Sequence, residues 1–338
     1  MASIKQFGER RDNISAIVSF IRGRGATTRM EICEALRLSW ACVSDLVADL
    51  IGDEVLIESA PSANNVSSAR GRIPARLSLN ENKYFLGVDI NNFGIAVTSL
   101  SMNGMQIAFK KWEAKHFKDE KELIRSVCDH ISEMLPRKED CCGIGIAVEG
   151  MRTEDGGFRY PMIDGCASVS PQRVIAERFG LSVSAKHDPE CMLYSVANPF
   201  REDCMVVRVD TEEIGIAAMK QGKILELPLE LGHTRYGSLR LRDVLHSCAK
   251  KGDFCEIAEA LGYSVANLAL LLGIQKCYLV GEWINWLGKD VYVAFESAFK
   301  SVRAEAKFEI CDLADASDGA ARLAISEYPT IKTQNERD

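Results

Sequence analysis

Three things are scarce in this 338-residue sequence, and each absence narrows the classes of protein it can be. No apolar run approaches the length of a membrane span, which argues against a membrane protein. The opening residues, MASIKQFGERRDN, lack the apolar segment of a signal peptide. Positive charge is not in excess, because 48 acidic residues outnumber 41 basic ones and give a net charge of −7. We therefore expect a cytoplasmic protein with no membrane partner.

Charge is unevenly distributed along the chain. Residues 1–80 hold 10 basic and 9 acidic side chains, whereas the rest hold 31 and 39, a net charge of −8. The first 80 residues can therefore approach a phosphate backbone that the remainder would avoid. The 12 cysteines are scattered among mostly apolar neighbours, so we interpret them as reduced core residues.

The first 80 residues follow the plan of a winged helix-turn-helix domain. Apolar spacing predicts a first helix at 13–21. Thr28 followed by Glu31 is a capping-box pattern that begins a second helix, and Ser39 is an N-cap candidate for a third. Strand-like segments at 55–58 and 75–79 flank a polar loop and predict a wing.

We interpret this domain as DNA-binding; the alternative is a three-helix interaction module. The start of the third helix is small and polar apart from Trp40, which suits entry into a major groove. Arginines in the wing loop suit phosphate or minor-groove contact. The candidate DNA contacts are Thr28, Arg29, Ser39, Trp40, Ala41, Ser44, Arg70 and Arg72. The expected partner is a double-stranded DNA operator, read by a homodimer or homotetramer.

The rest of the chain alternates strands and helices in two similar halves. Each half opens with a hairpin, the first near 84 and the second near 205. This plan predicts an α/β body of two lobes with a cleft between them. We expect domains at 1–80, at 81–195 plus 317–338, and at 196–316.

Several motifs, in order along the chain, resemble the ROK family of repressors, open reading frames and sugar kinases. They are GRIPARL at 71–77, GVDI at 87–90, GIGIAVEG at 143–150, HD at 187–188, ELGH at 230–233 and DGAARLA at 318–324. The resemblance implies an actin-like ATPase (ribonuclease H-like) body of two lobes, preceded by an α+β winged helix-turn-helix domain. It also implies that Asp188 stands where family kinases have their base, and that Glu230 and His233 contact a sugar.

The glycine-rich phosphate loops of the family kinases are missing. The family has G-G-T and G-T-G-x-G where this chain reads NNF at 91–93 and TEEIG at 211–215, and GEW at 281–283 replaces a glycine run near the nucleotide base. Side chains block the close backbone approach that glycine permits. Two carboxylates would also repel a triphosphate, by about 4 kcal/mol per pair of like charges. We therefore expect no kinase activity and no cofactor, and we interpret Glu212 and Glu213 as a solvated hairpin turn.

The family's zinc motif is also missing, so we expect no metal. His233 is kept, but the cysteines that follow have other spacings. A different site built from His246, Cys248 and Cys255 is conceivable, although His246 and Cys248 point apart on a helix.

The residues that the resemblance places around the sugar match the family better than those of the phosphate loops. The candidate ligand residues are Asp188, Glu230, His233, Glu149 and Gly150, with Asp164 as a weaker one. Carboxylates accept hydroxyl hydrogen bonds, although a Glu–His pair can be merely structural. We expect a DNA-binding regulator that senses a sugar or sugar derivative in a non-catalytic cleft. The alternatives are an active ATP-dependent sugar kinase with an appended DNA-binding domain and a ligand-independent DNA-binding scaffold.

Overall fold

The fold is described from a computed structural model of the chain. The structure describes residues 4–59, 74–91, 93–113, 116–152, 158–159, 163, 168–196, 202–210, 213–225, 231–286, 288–303, 305–313 and 315–335. Within these ranges the order of helices and strands follows the sequence prediction closely.

Helices and strands are numbered separately, each in chain order. The helices are α1 (Ile4–Arg24), α2 (Arg29–Leu36), α3 (Trp40–Gly52), α4 (Glu120–Glu133), α5 (Pro171–Phe179), α6 (Asp188–Val196), α7 (Leu241–Lys251), α8 (Cys255–Leu272), α9 (Lys289–Val302) and α10 (Ser317–Asn335). The strands are β1 (Leu56–Ser59), β2 (Arg76–Leu79), β3 (Tyr84–Asn91), β4 (Gly94–Ser101), β5 (Gln106–Glu113), β6 (Cys141–Val148), β7 (Met151–Arg152), β8 (Phe158–Arg159), β9 (Ser168–Val169), β10 (Val183–His187), β11 (Cys204–Val209), β12 (Ile214–Lys220), β13 (Lys223–Leu225), β14 (Arg235–Tyr236), β15 (Leu239–Arg240), β16 (Lys276–Val280) and β17 (Lys307–Ile310).

The amino-terminal unit consists of α1 to α3 and the antiparallel hairpin of β1 and β2. The predicted capping box is present, since Thr28 N donates to Glu31 Oε2 (2.8 Å) and Glu31 N donates to Thr28 Oγ1 (3.3 Å). Ser39 Oγ accepts from Cys42 N (3.3 Å) at the start of α3. These caps satisfy backbone N–H groups that a helix leaves free at its first turn. The helix α1 is longer than the predicted segment at 13–21.

The first lobe is built on a sheet of order β10-β6-β3-β4-β5. The pairs β3–β4 and β4–β5 are antiparallel, whereas β3–β6 and β6–β10 are parallel. The helix α10 lies directly on this sheet. A Cβ at Gly145 would be 1.8 Å from Ala320 O, so only glycine lets the helix backbone come this close.

The second lobe repeats this plan with the sheet β17-β16-β11-β12-β13. Again two pairs are antiparallel (β11–β12 and β12–β13) and two are parallel (β11–β16 and β16–β17). Apolar residues of α7, α8 and α9 cover it. The strand β12 ends at Lys220, because Gln221 and Gly222 form a positive-φ turn into β13.

The amino-terminal unit shares its core with the first lobe. One continuous apolar cluster contains Ile17 of α1 and Leu46 of α3 together with Phe85 of β3 and Tyr328 of α10. The Phe85 and Tyr328 rings meet edge to face at 5.2 Å. Arg22 Nε of α1 also donates to the backbone carbonyl of Met102, after β4 (3.2 Å). The winged helix is therefore packed onto the body as part of one core.

One described helix, α8, is long and apolar enough by length and composition to cross a membrane. This corrects the sequence reading that no apolar run approaches that length. Eight residues of α8, including Ile257, Leu261 and Val265, are buried in the core of the second lobe. A buried core helix passes the same length and composition test.

Candidate functional site

The candidate site lies where strand ends of the two sheets meet. Asp89 is near the end of β3, Glu149 follows β6, and Asp188 follows β10. From the second lobe come Arg208 on β11 and Asp210 just after it. Ligand crevices of α/β folds form outside the carboxyl ends of strands, where connections diverge.

Asp188 is the first residue of α6 and is only 2% exposed. Its Oδ2 forms an ion pair with Arg208 Nη1, and its Oδ1 lies 3.2 Å from His187 Nε2. The helix dipole favours a carboxylate at this end. Glu190 Oε2 accepts from His187 N (3.0 Å) and fixes the entry to the helix. The carboxylate that matches the family's kinase base is thus held by the chain itself.

Arg208 is a charged residue near the end of a fully buried strand, and is 3% exposed. Its Nε lies 2.5 Å from Asp210 Oδ2, while Nη1 pairs with Asp188. Burial alone would lower the pKa of Arg208, but the carboxylates of Asp210, Glu149 and Asp89 raise the pKa above its ordinary value. The guanidinium is therefore charged, and it balances carboxylates from both lobes.

Asp210 links Arg208 to the loop after β16. Its Oδ1 accepts from Glu282 N (2.9 Å), and its own N donates to Glu213 O (3.0 Å). Gly281, with φ +95°, lies so close that a Cβ there would be 2.6 Å from Asp210 Oδ1. A backbone N–H at a loop of this kind can bind an anion, and here the chain's own carboxylate takes it.

Asp89 is fully buried, and it ties β3 to the start of α10. Its Oδ2 accepts from Asn91 Nδ2 (2.7 Å) and from Ala316 N (3.0 Å). Burial raises the pKa of Asp89 to about 6, although Arg208 acts in the opposite direction. Asn91 Oδ1 accepts from Phe93 N (2.8 Å). The sequence resemblance aligns residues 91–93 with the first phosphate loop of family kinases; Asn92 lies outside the described residues.

The space left in the site is small. A cavity of about 10 Å³ is lined by Glu149, His187, Asp188, Arg208, Asp210, Glu213 and Gly215. That is about the room one water molecule needs. Glu213 is half-buried here, and its carboxylate lies 3.8 Å from Arg242 Nη1. The Glu213 side chain lines the cavity and keeps 34% of its exposure, so the interpretation of this segment as a solvated hairpin turn stays a prediction; Glu212 lies outside the described residues.

The other predicted ligand residues are only partly located. His233 is half-buried in the short 3₁₀ turn Leu231–His233 and is not among the described residues that line the cavity. Gly150 follows Glu149 with φ +116°. Glu230 and Asp164 lie outside the described ranges. Trp283, expected near the nucleotide base, is buried against Phe295 in the core of the second lobe.

The three residues of the conceivable zinc site do not form one cluster with each other. Cys248 is buried in the core of the second lobe, whereas Cys255 begins the next helix, α8. Burial raises the pKa of both thiols, which disfavours the thiolate that zinc needs. No group of three or more His, Cys, Asp or Glu in the described ranges could hold a metal ion. The absence of zinc stays a prediction.

The winged helix presents the start of α3 to solvent. Trp40 is 55% exposed, Ser39 and Ala41 are exposed, and Ser44 is half-buried. Arg10 of α1, which the sequence prediction missed, forms ion pairs with Asp45 and Asp49 on this face. The single positive charge of Arg10 thereby offsets part of the negative charge of the two carboxylates where a phosphate backbone would approach.

Two predicted DNA contacts already have structural roles. Thr28 caps α2, and Arg29 pairs with Glu58 of β1. Arg70 and Arg72 of the wing loop lie outside the described residues. The predicted DNA-contacting surface therefore rests, in the described part of the chain, on Ser39, Trp40, Ala41 and Ser44.

Arg208 is the residue of the candidate site that sequence reasoning missed. Its signal is in the sequence, because it is the lone charge within the apolar strand CMVVRV. A charge in a fully buried strand needs a buried partner of opposite sign, and Asp188, the matched kinase base, is an acid of the facing lobe.

Structural comparison defines the fold. A ROK family transcriptional regulator, a homologue of the E. coli MLC protein, matches 96% of this chain and 98% of its own at 16% identity and a TM-score of 0.75. A ROK hexokinase from Thermus thermophilus matches 74% of this chain and 99% of its own, at 17% identity and a TM-score of 0.60. A ROK family glucokinase from Streptomyces griseus, in complex with glucose and AMPPNP, matches 71% of this chain and 98% of its own, at 18% identity and a TM-score of 0.57. No protein-family model and no curated protein matches the chain.

The architecture is thus a two-lobed, actin-like ATPase body that carries a winged helix-turn-helix domain. More particularly, the chain has the fold shared by ROK regulators and ROK sugar kinases, as its sequence motifs predicted. The regulator likeness extends over the winged helix, whereas the kinase likenesses cover about three quarters of the chain.

Proposed function

We propose that this protein is a DNA-binding transcriptional regulator of the ROK type, whose kinase-like body does not phosphorylate sugars. The proposal that sugars are not phosphorylated rests on the ion pair between Asp188 and Arg208. A general base must face the hydroxyl proton it removes. Here the carboxylate at that place is buried against a guanidinium, and the space beside it has room for about one water.

The DNA-binding half rests on the exposed start of α3. Its N-cap Ser39, followed by Trp40 and Ala41, projects from a helix whose opposite face is buried. The near-neutral charge of residues 1–80 also suits contact with DNA better than the acidic body does. Recognition of two half-sites requires two winged helices, so a homodimer or homotetramer in the cytoplasm is part of the proposal.

An active sugar kinase with an appended DNA-binding domain is the second candidate. The observation that favours it is the retention of Asp188 at the start of α6, in a fold that active kinases share. Against it stand the side chains that replace both phosphate loops and the guanidinium on Asp188. A coupled ADP-release assay with a sugar panel separates the two candidates.

Sensing of a sugar by Asp188, Glu230 and His233 stays a prediction. A sugar at Asp188 would share the carboxylate with the Arg208 guanidinium, which pairs with Oδ2. Selection from a random double-stranded DNA library, followed by affinity measurement on the selected sequence, tests the regulator. If full-length protein selects no sequence above background, the proposal fails.

A further inference from the structure

One guanidinium lies among acidic groups that come from both lobes. Asp188, Glu149 and Asp89 belong to the first lobe, and Asp210 follows β11 in the second. Arg208 pairs directly with Asp188 and Asp210 and is attracted by the other two. Without it, carboxylates of the two lobes would face one another across the cleft, and their repulsion would favour separation of the lobes.

Among the described residues, the pair leaves little room beside it. The cavity beside Arg208 has a volume of about 10 Å³, which suits about one water molecule and no sugar ring. The side chain of Arg208 therefore stands in the space a ligand of Asp188 would take. Since Arg208 is 3% exposed, solvent hardly reaches the guanidinium itself.

We propose that Arg208 is an internal ligand of the cleft, which occupies the place of an effector and holds the two lobes closed. The site beneath it is then a latent cation site that accepts a guanidinium-type ligand once the arginine side chain is removed. This inference rests on the proposed non-catalytic function, and it makes the DNA-binding state of the protein independent of sugars.

Chemical rescue tests the proposal on the full-length chain. Arg208→Gly removes the guanidinium and leaves the buried carboxylates of Asp188 and Asp210 without that positive charge, so Tm should fall by about 5 °C or more. Millimolar methylguanidinium chloride should restore about half of that loss by binding the folded variant. Urea, a neutral molecule of similar shape, and NaCl at equal ionic strength should not. Equal recovery with urea or NaCl, or no recovery in a folded variant, overturns the proposal.

Two controls define the specificity of the rescue. Arg235→Gly removes an exposed arginine of the second lobe, whose guanidinium makes only a 3.5 Å contact to Ser238 O. It should change Tm by about 1 °C and show no rescue. Wild type should likewise gain nothing from methylguanidinium. A neutral sugar that raises the Tm of wild type, with the effect lost in Asp188→Asn, would show that the cleft is open to effectors and would overturn the proposal.

If Arg208→Gly does not fold, a second variant tests the same proposal. Asp188→Asn weakens the pair from the first lobe and leaves the arginine in place. Hydrogen exchange should then rise in both α6 and β11, because the pair joins the lobes. A rise confined to α6, or no rise, overturns the proposal. These measurements need no DNA. If wild type failed to bind DNA, the proposed regulator function would fail, whereas the role of Arg208 would still be decided by Tm and hydrogen exchange.

Discussion

The guanidinium of Arg208 on β11 and the carboxylate of Asp188 at the start of α6 form an ion pair that joins the two lobes of the body. Both side chains are almost fully buried. Removal of one partner of a buried pair leaves an uncompensated charge, which typically costs about 3–5 kcal/mol. The pair therefore ties stability to the geometry of the cleft, at the residue that the sequence resemblance aligns with the base of family kinases.

We expect no sugar phosphorylation. Reversion of Glu212 and Glu213 to Thr and Gly should not rescue activity, because the Asn91 turn and the Arg208–Asp188 pair remain. The measurement is a coupled ADP-release assay over common hexoses. Turnover in the ordinary enzyme range, roughly 1–1000 per second, would contradict the prediction, provided that an Asp188→Asn sample prepared in parallel is inactive.

Trp40 should govern sequence preference. Trp40→Ala removes the large exposed side chain at the start of α3, so it should reduce discrimination between selected and scrambled DNA by roughly tenfold. Leu271→Ala, at an 81% exposed apolar residue on α8 far along the chain, is the matched control and should have no effect. Unchanged discrimination in the Trp40 variant would exclude α3 as the reading helix.

Arg70 and Arg72 should contribute affinity rather than specificity. Each arginine that contacts a phosphate releases counterions. In each alanine variant, the negative slope of log affinity against log salt should therefore become shallower by about one. Binding across a salt series measures this slope. A loss of sequence preference with no change in slope would instead assign the wing loop to base reading.

The sequence predicted the fold well because the local signals agree with one another. The Thr28–Glu31 capping box, the Ser39 cap and the buried strand at 143–148 all lie where the pattern placed them. The site was less predictable, since ion pairs across a cleft join residues that are distant in sequence. Arg208 and Asp188 are brought together only when two sheets meet. The local periodicity of apolar residues does not predict such a contact.

Asp89 should make stability depend on pH. Its pKa is raised by burial from 3.8 to about 6, with Arg208, Asp315, Asn91 and Ala316 N as its neighbours. The favourable contribution is complete below the unfolded pKa and is lost as pH rises through about 6, up to about 3 kcal/mol. Asp89→Asn should flatten this loss in urea unfolding. Asp129→Asn, at an exposed carboxylate, should not. Parallel wild-type and Asp89→Asn curves would contradict the prediction.

Zinc should be absent from protein purified without added metal. The Cys248 side chain is packed in an apolar core, and Cys255 lies on the next helix. Elemental analysis is the measurement. One zinc per chain that disappears in Cys248→Ser or Cys255→Ser would contradict the prediction.

The winged helix and the first lobe should unfold together, because they share one core. Phe85 is fully buried, and its ring meets Tyr328 at 5.2 Å within the cluster that also holds Ile17 and Leu46. Phe85→Ala removes contacts on both sides of that junction and should destabilise it by about 3–5 kcal/mol. Hydrogen exchange should therefore rise in α1 and α3 as well as in β3.

The matched control is Phe299→Ala, an equally buried phenylalanine in the core of the second lobe. It should raise exchange in α8 and α9, because its ring packs there, and leave α1 and α3 protected. If Phe85→Ala left the winged helix protected to the same degree, the two units would have separate cores. A change in the body could then reach the DNA-binding surface only through the connecting chain. If α1 and α3 open with β3, movement of the first lobe carries the reading helix with it.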